Sequence, residues 1–202
     1  MTIESLKNVN ITGLFSSPLD HLLISADGIV KLFSGTQNLS EVKKSVIEAP
    51  GLKVIILPEL KKEFIFESIR VVVGDKSETT PDKSSIIDDF QKLIDNNFID
   101  LKKLTAYGFN FDAIVVPGET FKISDIIGSK LSQFSNISSA GIHVGFEKNN
   151  LKYNFDLTPL GVENKYLAHL NAHITQDLPD STEIKKQLEA QYKEFEELIS
   201  KI

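Results

Sequence analysis

The sequence predicts an α+β fold: a largely antiparallel sheet with its helices on one face. Three observations carry this. Beyond Leu104 apolar and polar residues alternate with a period of two over four separate stretches, the pattern of strands with one dry and one wet side. Helix-period apolar stripes, the last running to the C-terminus, supply the surfaces that cover the dry side. Clusters of Gly, Pro, Asn, Asp and Ser punctuate the runs. The same order of elements is read twice, so two similarly ordered β-α-β(n)-α halves are expected, residues 1–100 and 101–202, packed as one unit.

In the first half, Val9 to Phe15 reads as a short strand closed by Ser16, Ser17 and Pro18. Asp27-Gly28, between two apolar runs, predicts a hairpin turn because Asp-Gly adopts the positive φ angles of a type I′ turn. His21 beside Asp20 would then sit at a turn or strand edge. Leu39, Val42 and Val46 share a helical face, which predicts a short helix capped by Asn38 or Ser40 and stopped by Pro50-Gly51. Leu52 to Leu57 reads as a strand, and Glu63 to Val73 as one longer strand rich in β-branched and aromatic residues. Gly74 to Lys83 is a polar loop. Ser84 or Ser85 caps a helix whose stripe is Ile86, Ile87, Phe90, Leu93 and Ile94.

The second half opens with the strand Leu104 to Val116, in which Tyr107, Phe109, Phe111, Ala113 and Val115 oppose Gly108, Asn110 and Asp112. After Pro117-Gly118, Ile123, Ile126, Ile127, Leu131 and Phe134 predict a helix. Three more alternating runs come next. Their wet sides carry His143, Gly145 and Glu147, then Lys152, Asn154 and Asp156, then His169, Asn171 and His173; their dry sides include Tyr153, Phe155 and Tyr166. Pro179, Asp180 and Ser181 signal a helix start, and Ile184, Leu188, Tyr192, Phe195, Ile199 and Ile202 form the closing stripe.

Composition narrows the function classes. With 22 basic against 28 acidic residues and a net charge of −6, the chain lacks the cationic excess of a phosphate-binding surface, and Arg70 is its only arginine. No cysteine is present, which removes disulfides, thiolate zinc sites and cysteine nucleophiles. No stretch approaches the ~20 apolar residues needed to cross a bilayer, and the N-terminal residues have no leader pattern, so a soluble, cytoplasmic protein is expected. The sequence has no GxxxxGK[ST] or GxGxxG phosphate loop, no GxSxG elbow and no HExxH helix.

The candidate site is the wet face: Asn110, Asp112, His143, Asn154, Asp156, His169, Asn171 and His173. A metal or acid/base centre from its histidines with Asp112 or Asp156 meets a geometric limit. At ~3.3 Å per strand residue, His169 and His173 stand ~13 Å apart, so at most one of them could join such a centre. A solvated polar face is the simpler expectation. Gly108, Gly141 and Gly145 on that face mark bends, or places where another backbone or a ligand comes close.

The order strand, helix, several antiparallel strands, long final helix, given twice, resembles the saddle fold of the TATA-box-binding protein. The second half alone is similar to a helix-grip module, whose long helix lies along a curved sheet. The saddle resemblance implies an exposed sheet face that binds the DNA minor groove. The matching face here carries Asp112, Glu147 and Asp156, with no arginine in the second half, which disfavours phosphate and so nucleic acid. The expectation is therefore a non-enzymatic binding or assembly protein, with no cofactor and no metal, that engages a protein partner or itself through the polar face or a sheet edge. The alternative is a carrier of a small apolar ligand, with a pocket between the final helix and Tyr107, Phe109, Phe111, Tyr153, Phe155 and Tyr166.

Overall fold

The computed structural model describes residues 1–119, 121, 137, 139–161 and 164–202. The helix read across Ile123 to Phe134 lies outside them. The described strands are β1 (Thr2–Phe15), β2 (Ser45–Ala49), β3 (Leu52–Leu57), β4 (Lys62–Glu67), β5 (Arg70–Asp75), β6 (Leu104–Val116), β7 (Ile142–Lys148), β8 (Leu151–Pro159) and β9 (Tyr166–Ile174). The described helices are α1 (Ala26–Ser34), α2 (Ile86–Asp95) and α3 (Ser181–Ser200). The strands form one open, nine-stranded antiparallel sheet in the order β2-β3-β4-β5-β1-β6-β9-β8-β7. The long strands β1 and β6 therefore lie side by side within it, and from each of them the later strands step outward in reverse chain order.

All three helices cover the same face. On α3, Asp180 caps the first turn by accepting from the backbone N–H groups of Thr182 and Glu183, and Ile184, Leu188, Tyr192, Phe195 and Ile199 face inward. Phe195 stacks on Phe111 of β6 with ring centroids 5.8 Å apart and lies 6.5 Å from Phe155 of β8. Phe33 of α1 meets Phe64 of β4 at 4.4 Å, and Phe90 of α2 lies against Gly13 of β1. Phe64, Phe90, Phe109, Phe111 and Phe195 are buried, and each such ring contributes roughly 1.5–3 kcal/mol through area removed from water. Lys62 of β4 also reaches the buried carboxylate of Asp89 on α2 and the hydroxyl of Ser85, tying sheet to helix. Among the described residues no helix is long and apolar enough to cross a membrane.

Four expectations for the first half are corrected. Asp27-Gly28 is the first turn of α1 and not a hairpin: Ser25 accepts from Gly28 N–H, and Gly35, at φ 68°, ends the helix. A side chain at position 28 would crowd Phe98, whose ring carbon would lie 3.1 Å from the added Cβ. The segment read as a helix from Leu39 to Ala49 is a 3-10 turn, Leu39–Glu41, followed by β2. The adjacent β-branched residues Val46 and Ile47 favour a strand, and Pro50-Gly51, with Gly51 at φ 77°, makes the β2–β3 hairpin rather than a helix stop.

Glu63 to Val73 is two strands folded back at Ser68-Ile69, where Phe66 pairs with Val71. No Gly, Pro, Asn or Asp stands at that bend, and a lone Ser68 is too weak a turn signal to divide the run. Finally, β1 is 14 residues long and not seven, because register shifts opposite β6 at Ile3/Ser5 and Leu6/Asn8 break its alternation.

Candidate functional site

The face turned away from the helices is organised in rows that run across the strands. Pairing sets Asn10 of β1 opposite Asn110 of β6, Asn110 opposite Asn171 of β9, and Asn171 opposite Asn154 of β8. One row thus holds four asparagines on four adjacent strands, and it ends at Gly145 of β7. The amides interlock: Asn171 Nδ2 donates to Asn110 Oδ1 at 2.6 Å, and Asn110 Nδ2 donates to Asn10 Oδ1 at 2.7 Å and to Thr12 Oγ1 at 3.1 Å. On the other side of Asn10 stands Gly74 of β5.

The next row reads Asn8, Asp112, His169, Asp156, His143. Asp112 accepts from Asn8 Nδ2 at 2.8 Å and pairs with His169 Nδ1 at 2.7 Å, and Asp156 bonds His143 Nδ1. The carboxylate makes Nδ1 of His169 the donor and leaves Nε2 pointing away from it. The hydrogen bond to Asp112, helped by the charges of Asp112 and Asp156, holds the His169 pKa above its ordinary value against the opposing effect of burial. Burial alone would push the Asp112 carboxyl up, but its bonds to His169 and Asn8 outweigh that and hold it below the usual carboxylate range. Asn8 is itself buried, and its Oδ1, lying over Gly74, has no hydrogen-bond partner among the described residues.

These rows line an open trough of about 730 Å³ on this face. It is lined by Asn8, Asn10, Thr12, Asn110, Asn171, Asn154, His169, Asp156 and His143 on β1 and β6 to β9, and by Glu63, Ile65, Arg70 and Val72 on β4 and β5. Arg70 is already engaged, donating from Nε and Nη2 to the Glu67 carboxylate at 2.8 and 2.6 Å. The first-half portion of the face is aliphatic: Ile47, Val54, Ile65 and Val72 succeed one another in the row that leads to Thr12.

No family model matches this chain, and no curated protein does.

Of the residues expected at the site, Asn110, His143, Asn154, Asp156, His169 and Asn171 line the trough. Asp112 anchors His169 and Asn8. His173 is in a different row, between Gly108 and Lys152, with its Nε2 3.2 Å from Thr175 Oγ1, so it does not converge with His169. Among the described residues no three His, Asp or Glu side chains gather closely enough to hold a metal ion. Gly108 is where backbones approach, since a Cβ there would lie 2.6 Å from the Ala172 carbonyl oxygen.

Several of the aromatic residues weighed as a pocket lining are in contact with side chains of α3. Tyr107 donates its hydroxyl to Gln187 Oε1 at 2.6 Å, Tyr153 donates to Gln191 Oε1 at 2.7 Å, and Phe111 lies against Tyr192 and Phe195. The contributions of Asn8, Asn10, Thr12, Glu63, Ile65, Arg70 and Val72 were not anticipated. Asn8, Asn10 and Thr12 alternate with the buried Val9 and Ile11, a pattern that reads correctly once β1 is extended upstream of Val9.

Proposed function

We propose that this chain is a non-enzymatic binding protein that engages a protein partner through the open face of its sheet. The observation that carries the reading is the row Asn10, Asn110, Asn171, Asn154 on a face left clear by the described helices. A side-chain amide offers the same donor and acceptor pair as a peptide group. A partner's backbone and polar side chains can therefore exchange hydrogen bonds with the row and its Asp/His neighbours. The adjoining aliphatic row of Ile65 and Val72 adds area that is favourable to remove from water.

Charge argues for protein over nucleic acid. Glu63, Asp156 and Asp112 stand in or beside the trough, and the one arginine there is spent on Glu67. In this reading the chain works in the cytoplasm.

Affinity capture from the source cell tests the proposal, comparing the native chain with Asn154→Arg, a change at an exposed position of the row. A protein held by the native chain and lost by the variant, identified by mass spectrometry, supports the reading. Identical recovery by both removes the face from consideration.

A further inference from the structure

The strand at one end of the sheet is uncovered and lacks the proline, lysine and bulge that most often keep strand edges apart, its protection being limited to its five-residue length and Glu48. β2 bonds to β3 alone among the described residues, all five of its residues are exposed, and Val46 and Ile47 show 40% and 54% of their surface. Its pairing with β3 runs from Ser45 opposite Ile56 to Ala49 opposite Leu52 with no register shift, and no lysine or proline interrupts it. Natural edges are usually blunted by such devices, because an uncovered row of peptide groups is a template for another strand.

We propose that β2 pairs antiparallel with β2 of a second copy about a two-fold axis through Val46. The register is set by parity and charge. Residues directly opposite in a sheet must point to the same face, so a two-fold axis perpendicular to the sheet has to pass at a residue and not between two. An axis at Ser45 sets Lys43 against Ile47. An axis at Ile47 sets Glu48 against Val46 and Lys44 against Pro50. An axis at Glu48 brings two glutamates together.

With Val46 on the axis, Lys44 of each copy stands opposite Glu48 of the other. Both side chains are on the helix-bearing side, where Lys44 meets Asp27 of α1 and Glu48 lies 2.9 Å from Lys53. Val46 then covers Val46 of the second copy, and Ile47 is set beside Ser45. The aliphatic row from Ile47 to Val72 becomes the middle of an eighteen-stranded sheet, twice the nine strands of one copy. The seam is short, below the ~1,200 Å² of a standard interface, so a reversible monomer–dimer equilibrium is expected.

The proposal stands apart from the face reading, because β2 does not line the trough. Light scattering should show the native mass rising toward the dimer value with concentration; a constant monomer overturns the proposal. Because the chain has no cysteine, V46C introduces a single thiol. On the axis its two Cα atoms would stand ~4.5–5.5 Å apart, within disulfide range, whereas two I47C residues would lie beyond the ~7 Å limit. Oxidation should join V46C to itself and leave I47C monomeric; the reverse result, or no product from either, overturns the register.

K44E and E48K each set like charges face to face and should be monomeric. An equimolar mixture of the two restores a Lys–Glu pair at both ends and should form the heterodimer. Dimeric single variants, or a monomeric mixture, count against the seam. Partner capture by these variants reports on the face separately.

Discussion

Asn110 donates its side-chain amide to Asn10 at 2.7 Å, joining residues 100 positions apart across the β1–β6 seam. Asn110 also accepts from Asn171, so it is the central link of the amide row. Replacing it with Leu leaves Asn10 Oδ1 with only the longer bond from Thr12 Oγ1, and an Asn171 N–H without its partner, on a surface where Asn10 and Asn110 are both buried. The expected cost is about 1–3 kcal/mol, read from urea unfolding. A cycle of N10A, N110A and the double variant should show coupling of ~0.5 kcal/mol or more; additive losses would mean that the link does not bear on stability.

His169 and Asp112 should give stability a pH signature. The raised His169 pKa means that its contribution is fully present below the unfolded value near ~6.5 and is lost as pH rises through the folded value. The lowered Asp112 pKa means that its share is present above ~3.9 and is lost as pH falls through the folded value. The pair is fully charged between those limits. His169→Gln should therefore cost most near pH ~5–6 and progressively less as pH rises through the raised His169 value, measured as the change in urea midpoint. A pH-independent difference would show that the pair is not what the substitution removes.

Lys62 and Asp89 make a buried pair with a different signature. Asp89's side chain is 3% exposed, and its next cation, Lys92, lies 3.9 Å away. Lys62→Met should destabilise the fold by about 3–5 kcal/mol by leaving the carboxylate without its main partner. Thermal unfolding of K62M against K62M/D89N would check this, because neutralising Asp89 should return part of the loss.

Gly108→Ala tests the close approach of β6 and β9. The added Cβ would lie 2.6 Å from the Ala172 carbonyl oxygen, which backbone movement alone can relieve, so a loss of about 1–3 kcal/mol is expected. Gly118→Ala, with nothing within 4 Å of the added carbon, should change the melting temperature little.

Legibility in the sequence divides at about residue 100, for physical reasons. β6, β8 and β9 alternate over most of their length, with Leu167 and the Ile114–Val116 end of β6 as exceptions, so their wet and dry sides, and with them Asn110, Asp112, Asn154, Asp156, His169 and Asn171, could be assigned from spacing. In β1 the register shifts interrupt the alternation and hid Asn8 from view. The bend at Ser68-Ile69 carries only Ser68 as a turn residue, so β4 and β5 read as one strand, and the trough residues Glu63, Ile65, Arg70 and Val72 could not be assigned to a face. Asp27-Gly28 and Pro50-Gly51 are both real turn signals. Their meaning depends on the element they lead into, an amphipathic helix in one case and the partner strand β3 in the other. The pairing of His169 with Asp112, and of His143 with Asp156, is a matter of register between strands, which one chain's periodicity does not contain.

The placement of β1 between β5 and β6 also bears on how the chain is made. Emerging from the ribosome, this segment finds its first neighbour only when residues 70–75 have been synthesised, and its second only when residues 104–116 have been added. Long loops must close before the centre of the sheet exists, which places spontaneous folding in the slow, roughly millisecond-to-second class of sheets built from distant segments. A chain halted near residue 100 would carry β1 with its β6 side bare, the condition in which nascent strands recruit the wrong neighbour.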